Sequence, residues 1–116
     1  MANPYQVVVH VDEADAPRHR MALGNVLNLL ADLGDEVKAV EVVANGPGLD
    51  MLMSGSEAAP MVQSCREKGV ALSACANTLR TRGMDSSQLL EGVQVVSSGV
   101  GQVVRRQAEG WQYVRP

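Results

Sequence analysis

Five short apolar runs recur along the chain, and between each pair lies a stretch whose apolar residues fall three or four apart. The runs cover residues 5–11, 37–44, 70–74, 93–96 and 111–114. Short runs rich in β-branched residues read as buried strands. Between the first two, Leu23, Val26, Leu27, Leu30 and Leu33 make one face of a helix. Asp15 offers a cap for it, Pro17 sits in its first turn and Gly34 ends it. Pro60 starts a second helix that turns Met61, Val62 and Cys65 inward and closes at Gly69. A brief helix follows Cys75 and ends near Gly83. Ser97 and Ser98 cap a last helix, with Val100, Val103 and Val104 expected inside and Gly110 as its stop. Strands alternating with amphipathic helices predict an α/β fold, with a mainly parallel five-stranded sheet covered on both faces.

At 116 residues the chain has room for one core, so residues 1–116 read as a single domain. Aromatic residues are 3% and Phe is absent, so that core is built from Val, Leu, Ala and Met. A net charge of −3 and so few stacking side chains point away from direct nucleic-acid binding. They also point away from a basic membrane-surface helix. No apolar run is long enough to span a bilayer. The start, Met1-Ala2-Asn3-Pro4-Tyr5, lacks a signal-peptide pattern. The expected location is the cytoplasm, where thiols stay reduced.

In open α/β sheets reactive groups gather at the carboxyl ends of the strands. Here those segments are 10–15, 45–50, 75–78 and 97–101. Cys75 ends the third strand and opens a helix, so free N–H groups of Asn77 and Thr78 are placed to stabilise its thiolate. The other reading is an inert thiol filling the core. Cys65, inside a helix, reads as packing. His10 reaches Cys75 if their strands are neighbours, acting as a proton acceptor. Otherwise it is simply hydrogen-bonded at a strand end. His19 reads as solvated. Asn45 and Gly46 open a sharp loop that Asp50 closes, and these residues bind a substrate or partner or else serve the backbone. Leu49, Met51, Leu52 and Met53 either complete the core or mark a subunit interface.

Several chemistries find no motif. Two Cys and two His, widely spaced, make neither a disulfide framework nor a zinc site. Gly46-x-Gly48 and Gly99-x-Gly101 lack the third glycine of a dinucleotide fingerprint and read as tight turns with close helix packing. No cofactor is called for.

Nearly the whole chain resembles the DsrE/DsrF-like family of small sulfur-relay proteins. The resemblance rests on Val7-Val8-Val9-His10, Asn25-Val26-Leu27-Asn28-Leu29-Leu30 and Val42-Val43-Ala44-Asn45-Gly46-Pro47-Gly48. It continues through Gly69-Val70, Ala74-Cys75-Ala76-Asn77-Thr78-Leu79 and Val96-Ser97-Ser98-Gly99-Val100, and ends on the tail 109–116. It implies a three-layer α/β/α Rossmann-like domain that assembles into trimers or hexamers. It further implies a persulfide carried on a cysteine, at the position of Cys75. Sulfur donors and acceptors, proteins or small thiols, are then the expected partners. Cys75 and His10 become the expected reactive pair, and Asn45, Gly46, Asn77 and Thr78 the binding positions. The rival expectation is a non-enzymatic oligomeric binding or regulatory module with a packed cysteine. Its ligand would be a small anion at the Gly99 turn or a protein partner at 49–53.

Overall fold

The computed structural model describes residues 4–116; Met1, Ala2 and Asn3, where the signal-peptide reading begins, lie outside the described residues. The five strands are β1 (Tyr5–Val11), β2 (Val37–Ala44), β3 (Ala71–Cys75), β4 (Gln94–Val96) and β5 (Gln112–Val114). All pair in parallel, in the order β4-β3-β2-β1-β5. From β1 the chain steps outward to β4, then crosses back to the far side of β1. The strand order therefore reverses between β1 and β5, where such sheets open a crevice at their carboxyl ends.

Alternation of side chains along each strand divides the sheet into two unlike faces. On one face Val7, Val9 and Val11 of β1, Val40, Val42 and Ala44 of β2, and Leu72 and Ala74 of β3 join the main core. Helix α1 (Ala16–Leu33) packs there through Leu23 and Val26, and α2 (Ala59–Glu67) through Val62 and Cys65. Each such side chain, fully buried, contributes about 1.5–3 kcal/mol. Leu49, Met51 and Leu52 are fully buried and Met53 nearly so, in a 3-10 turn after β2, so this segment completes the core. Gly48 fits in that turn because a Cβ there would stand 2.2 Å from the Val11 carbonyl oxygen. Gly34 ends α1 at φ 51°, donating its N–H to the Leu30 carbonyl. Asp15 occupies the capping position of α1 but makes no side-chain capping bond.

The other face is covered by α4 (Gly99–Ala108), which packs on β1, β2, β3 and β5. Its apolar cluster is small: Val8, Val43 and Val103, with Trp111 against them. Beside it sits a buried carboxylate, Glu41, 1% exposed. Ser73 Oγ donates to it at 2.6 Å, Gln102 Nε2 at 3.0 and 3.1 Å, and Arg106 Nε at 2.6 Å. The Arg106 guanidinium in turn lies 4.4 Å from the centre of the Trp111 ring. A carboxylate is held in such a place only when paired and hydrogen-bonded.

This network corrects one expectation. Val103 faces inward, but Val100 and Val104 are 56% and 60% exposed. Helix α4 is rotated so that Gln102 and Arg106 reach Glu41, which turns Val100 and Val104 outward. His19 also departs from expectation. It is buried, because its Nε2–H donates to the Glu13 carbonyl under the start of α1.

Candidate functional site

Residues Ser73 and Cys75 project to the α4 side of β3, as the alternation requires. Cys75 is then the capping residue of α3 (Ala76–Thr81). Its side chain is 5% exposed. Burial pushes the thiol up, but the N–H and O–H groups around the sulfur outweigh it and leave the thiol below its ordinary value. The groups responsible are the Gly99 N–H, the N–H and hydroxyl of Thr78, and the Asn77 N–H, which surround the sulfur although its side chain closes no capping hydrogen bond. Donors of this kind favour the charged form over the neutral one. Thr78 has its hydroxyl hydrogen free for this because its oxygen already accepts the Gly46 N–H at 2.8 Å.

Gly99 lies this close to Cys75 only because it has no side chain. A Cβ there would stand 2.8 Å from Asn45 Cβ and 3.2 Å from Cys75 Cβ. The start of α4 thus rests directly on the ends of β2 and β3. Ser98 fixes that start, its Oγ accepting the Gly101 N–H at 3.0 Å. The tight Gly99-x-Gly101 turn is a packing device that also places one donor.

The second cysteine is a contrast. Cys65 has no exposed surface, and burial alone pushes its thiol up to about 11. Its sulfur lies 3.9 Å from the Leu23 carbonyl and serves packing.

His10 stands apart from Cys75. The direct contact required neighbouring strands, and β2 lies between β1 and β3. Both ring nitrogens are engaged elsewhere. Nε2 is 2.6 Å from Asn45 Oδ1, and Nδ1 is 2.9 Å from the Tyr113 hydroxyl. A carboxamide oxygen only accepts, so Nε2 carries the hydrogen and Nδ1 accepts from the phenol. His10 is linked to the cysteine only through Asn45, which shares the Gly99 contact.

The surrounding loops are tied by ion pairs. Arg82 bonds Asp50 at 2.6 Å and the Gly46 carbonyl at 3.3 Å, so Asp50 serves the loop. Arg80 donates to the Asn77 carboxamide oxygen. Arg115, beyond β5, bonds Asp12 at 2.7 Å and holds that carboxyl below its usual range. A cavity of about 360 Å³ opens beside Thr78, lined by Gly46, Pro47, Asn77, Thr81 and Arg82. Among the described residues no three His, Cys, Asp or Glu side chains cluster as metal ligands would.

The site thus brings together Cys75, Asn77, Thr78, Asn45 and Gly46, and joins His10 through Asn45. Three participants are absent from the sequence reading: the close approach of Gly99 to Cys75, Tyr113, and Glu41 beneath α4. The first two depend on strand order. Glu41 did carry a signal, as the lone charge in the run Val40-Glu41-Val42-Val43.

Comparison with known proteins places the sequence and the fold. The model of the DsrE/DsrF-like family matches residues 6–116. The solved structure of MTH1491 from Methanobacterium thermoautotrophicum, described as a protein of unknown function, is 52% identical. It superposes with a TM-score of 0.92, covering 97% of this chain and 99% of that one. The ychN protein from E. coli shares the fold, with a TM-score of 0.81 at 11% identity, covering 97% and 99% of the two chains. No curated protein matches the chain significantly. By its sequence over nearly its whole length, this chain belongs to the DsrE/DsrF-like family.

Proposed function

We propose that the protein is a cysteine-based sulfur carrier and that Cys75 holds the sulfur as a persulfide. The observation that carries this reading is the placement of one thiol at the end of β3, where the first turn of α3 and Gly99 of α4 close around it and hold it below its ordinary value despite its burial. The Cys75 thiolate attacks the outer sulfur of a donor persulfide, R–S–SH. A Cys75 S–S bond forms as the donor S–S bond breaks, and the donor leaves as the thiolate R–S⁻. The outer sulfur keeps its proton, and its oxidation level does not change. No outside oxidant or reductant is needed. Attack of an acceptor thiolate on the same outer sulfur repeats the exchange and frees Cys75. The rate of each step follows thiolate fraction and access.

Donors and acceptors are proteins or small thiols of the reduced cytoplasmic pool, and the cavity beside Thr78 is their route of approach. The assembly is a homotrimer or homohexamer, with exposed Val95, Val100 and Val104 against a neighbouring copy, because apolar surface of this kind marks contact. Light scattering that returns a monomer at working concentration would remove this part of the reading.

The experiment is to incubate the protein with a persulfide donor and weigh it intact. Wild type and Cys65→Ser gain one sulfur atom, and Cys75→Ser gains none. A gain that persists in Cys75→Ser, or none in wild type, refutes the reading. The 5% exposure of Cys75 favours a second reading, a binding or regulatory module in which this thiol is only packed. In that case neither cysteine reacts until the protein is unfolded.

A further inference from the structure

Tyr113, His10 and Asn45 come from β5, the end of β1 and the end of β2. They form one chain of hydrogen bonds across the reversal of strand order. We propose that Tyr113 and His10 are positioning residues that hold the Asn45 carboxamide in one orientation, so that its NH2 group is a donor to anionic sulfur at Cys75. This deepens the sulfur-carrier reading and rests on it.

A carboxamide has a donor end and an acceptor end of nearly equal shape, so its partners decide which way it lies. The phenol is the stronger acid and the imidazole nitrogen the stronger base, so the Tyr113 hydrogen bond runs from O–H into Nδ1. That leaves the imidazole hydrogen on Nε2, where it takes Asn45 Oδ1. The NH2 group is then on the edge of the carboxamide away from β1. On that side of β2 lies β3, which ends in Cys75. Asn45 and Cys75 also close on the same point of Gly99. Among the described residues none accepts a hydrogen bond from the Asn45 NH2, and that group is not sealed from solvent. Its two hydrogens are therefore available to whatever binds at the thiol. Two N–H donors suit a negatively charged sulfur, such as the terminal atom of a persulfide anion. Tyr113 itself acts only through the other two residues.

The test compares alkylation of Cys75 by iodoacetate, an anion, and by iodoacetamide, which is neutral. The same thiolate attacks both, so its population cancels from the ratio of rates. Asn45→Leu is expected to lower the iodoacetate-to-iodoacetamide ratio about tenfold, the weight of one hydrogen bond to a charged group. Tyr113→Phe is expected to lower it about twofold or more, as the imidazole hydrogen divides between its two nitrogens. Tyr113 is 40% exposed and this change removes only its hydroxyl, so the fold is retained, as circular dichroism will show. An unchanged ratio in Tyr113→Phe overturns the proposal. A second reading does not depend on Cys75 reacting. The nitrogen-15 spectrum of His10 is expected to place the hydrogen on Nε2 in wild type, and a hydrogen on Nδ1 overturns the proposal. Sulfur loading with no effect of Tyr113→Phe removes the positioning role and leaves sulfur carriage standing. Altered ratios with no sulfur loading support the positioning role and remove sulfur carriage.

Discussion

Replacing glycine by alanine at two helical positions should change stability in opposite directions. Propensity alone favours alanine inside a helix by about 1 kcal/mol. At Gly24, in the middle of α1, the new Cβ would meet only Met61 Cε at 3.7 Å, an ordinary contact. Gly24→Ala should therefore stabilise the protein by up to about 1 kcal/mol. At Gly99 the new Cβ would meet Asn45 Cβ at 2.8 Å and Cys75 Cβ at 3.2 Å. Neither neighbour is the far end of a flexible chain, so α4 must lift. Overpacking of this kind costs about 1–3 kcal/mol, which exceeds the propensity gain. For a small domain that cost lowers the urea midpoint by roughly 1 M. Lifting α4 also draws the Gly99 N–H from the sulfur, so the pH midpoint of Cys75 alkylation should move upward in Gly99→Ala and stay put in Gly24→Ala. Urea unfolding and the pH–rate profile read the two effects separately. A Gly99→Ala protein as stable as wild type, with Cys75 titrating as before, would falsify the close approach of α4 to the two strand ends.

Thr78→Val keeps the shape of the side chain but removes a hydroxyl that helps lower the Cys75 thiol and an acceptor for the Gly46 N–H. It should raise the alkylation midpoint and cost about 1 kcal/mol of stability. Cys65 titrates at about 11 when folded against an ordinary value of 9.0, so above pH 9 the unfolded chain loses this proton first. Stability should fall by about 3 kcal/mol between pH 9 and pH 11, and Cys65→Ala should remove that part of the decline in urea titrations. Cys75 has the opposite sign. Its lowered value adds stability as pH rises through its own titration to the ordinary thiol range. Arg106→Met strips Glu41 of its cation and should cost roughly 2–3 kcal/mol, the guanidinium being partly solvated to begin with. Adding Glu41→Gln should recover part of that loss, as calorimetry would show.

The element order, the parallel sheet and the place of Cys75 were legible because they depend on local pattern. β-Branched runs, helical spacing and the Gly34 stop act within a few residues of one another. The face of α4 was misread because Val100, Val103 and Val104 look alike as apolar residues. What turns the helix is Glu41, 61 residues before Gln102, and spacing along α4 carries no trace of it. His10 shows the same limit. Its residue type and strand-end position were plain, but its partners follow from β2 lying beside β1 on one side and β5 on the other. Strand order is a property of the whole sheet, and no short window of sequence contains it.

The polar groups around Cys75 have different origins in the chain. Those from Asn77 and Thr78 are local and form with α3 itself, whereas the Gly99 N–H arrives only when α4 seats on β2 and β3. Ionising the sulfur and seating the helix therefore share one free energy, and each must favour the other by the same amount. Val100 and Val104 ride on that same helix, so any change in how Gly99 seats beside Cys75 would also move the outer apolar surface of α4.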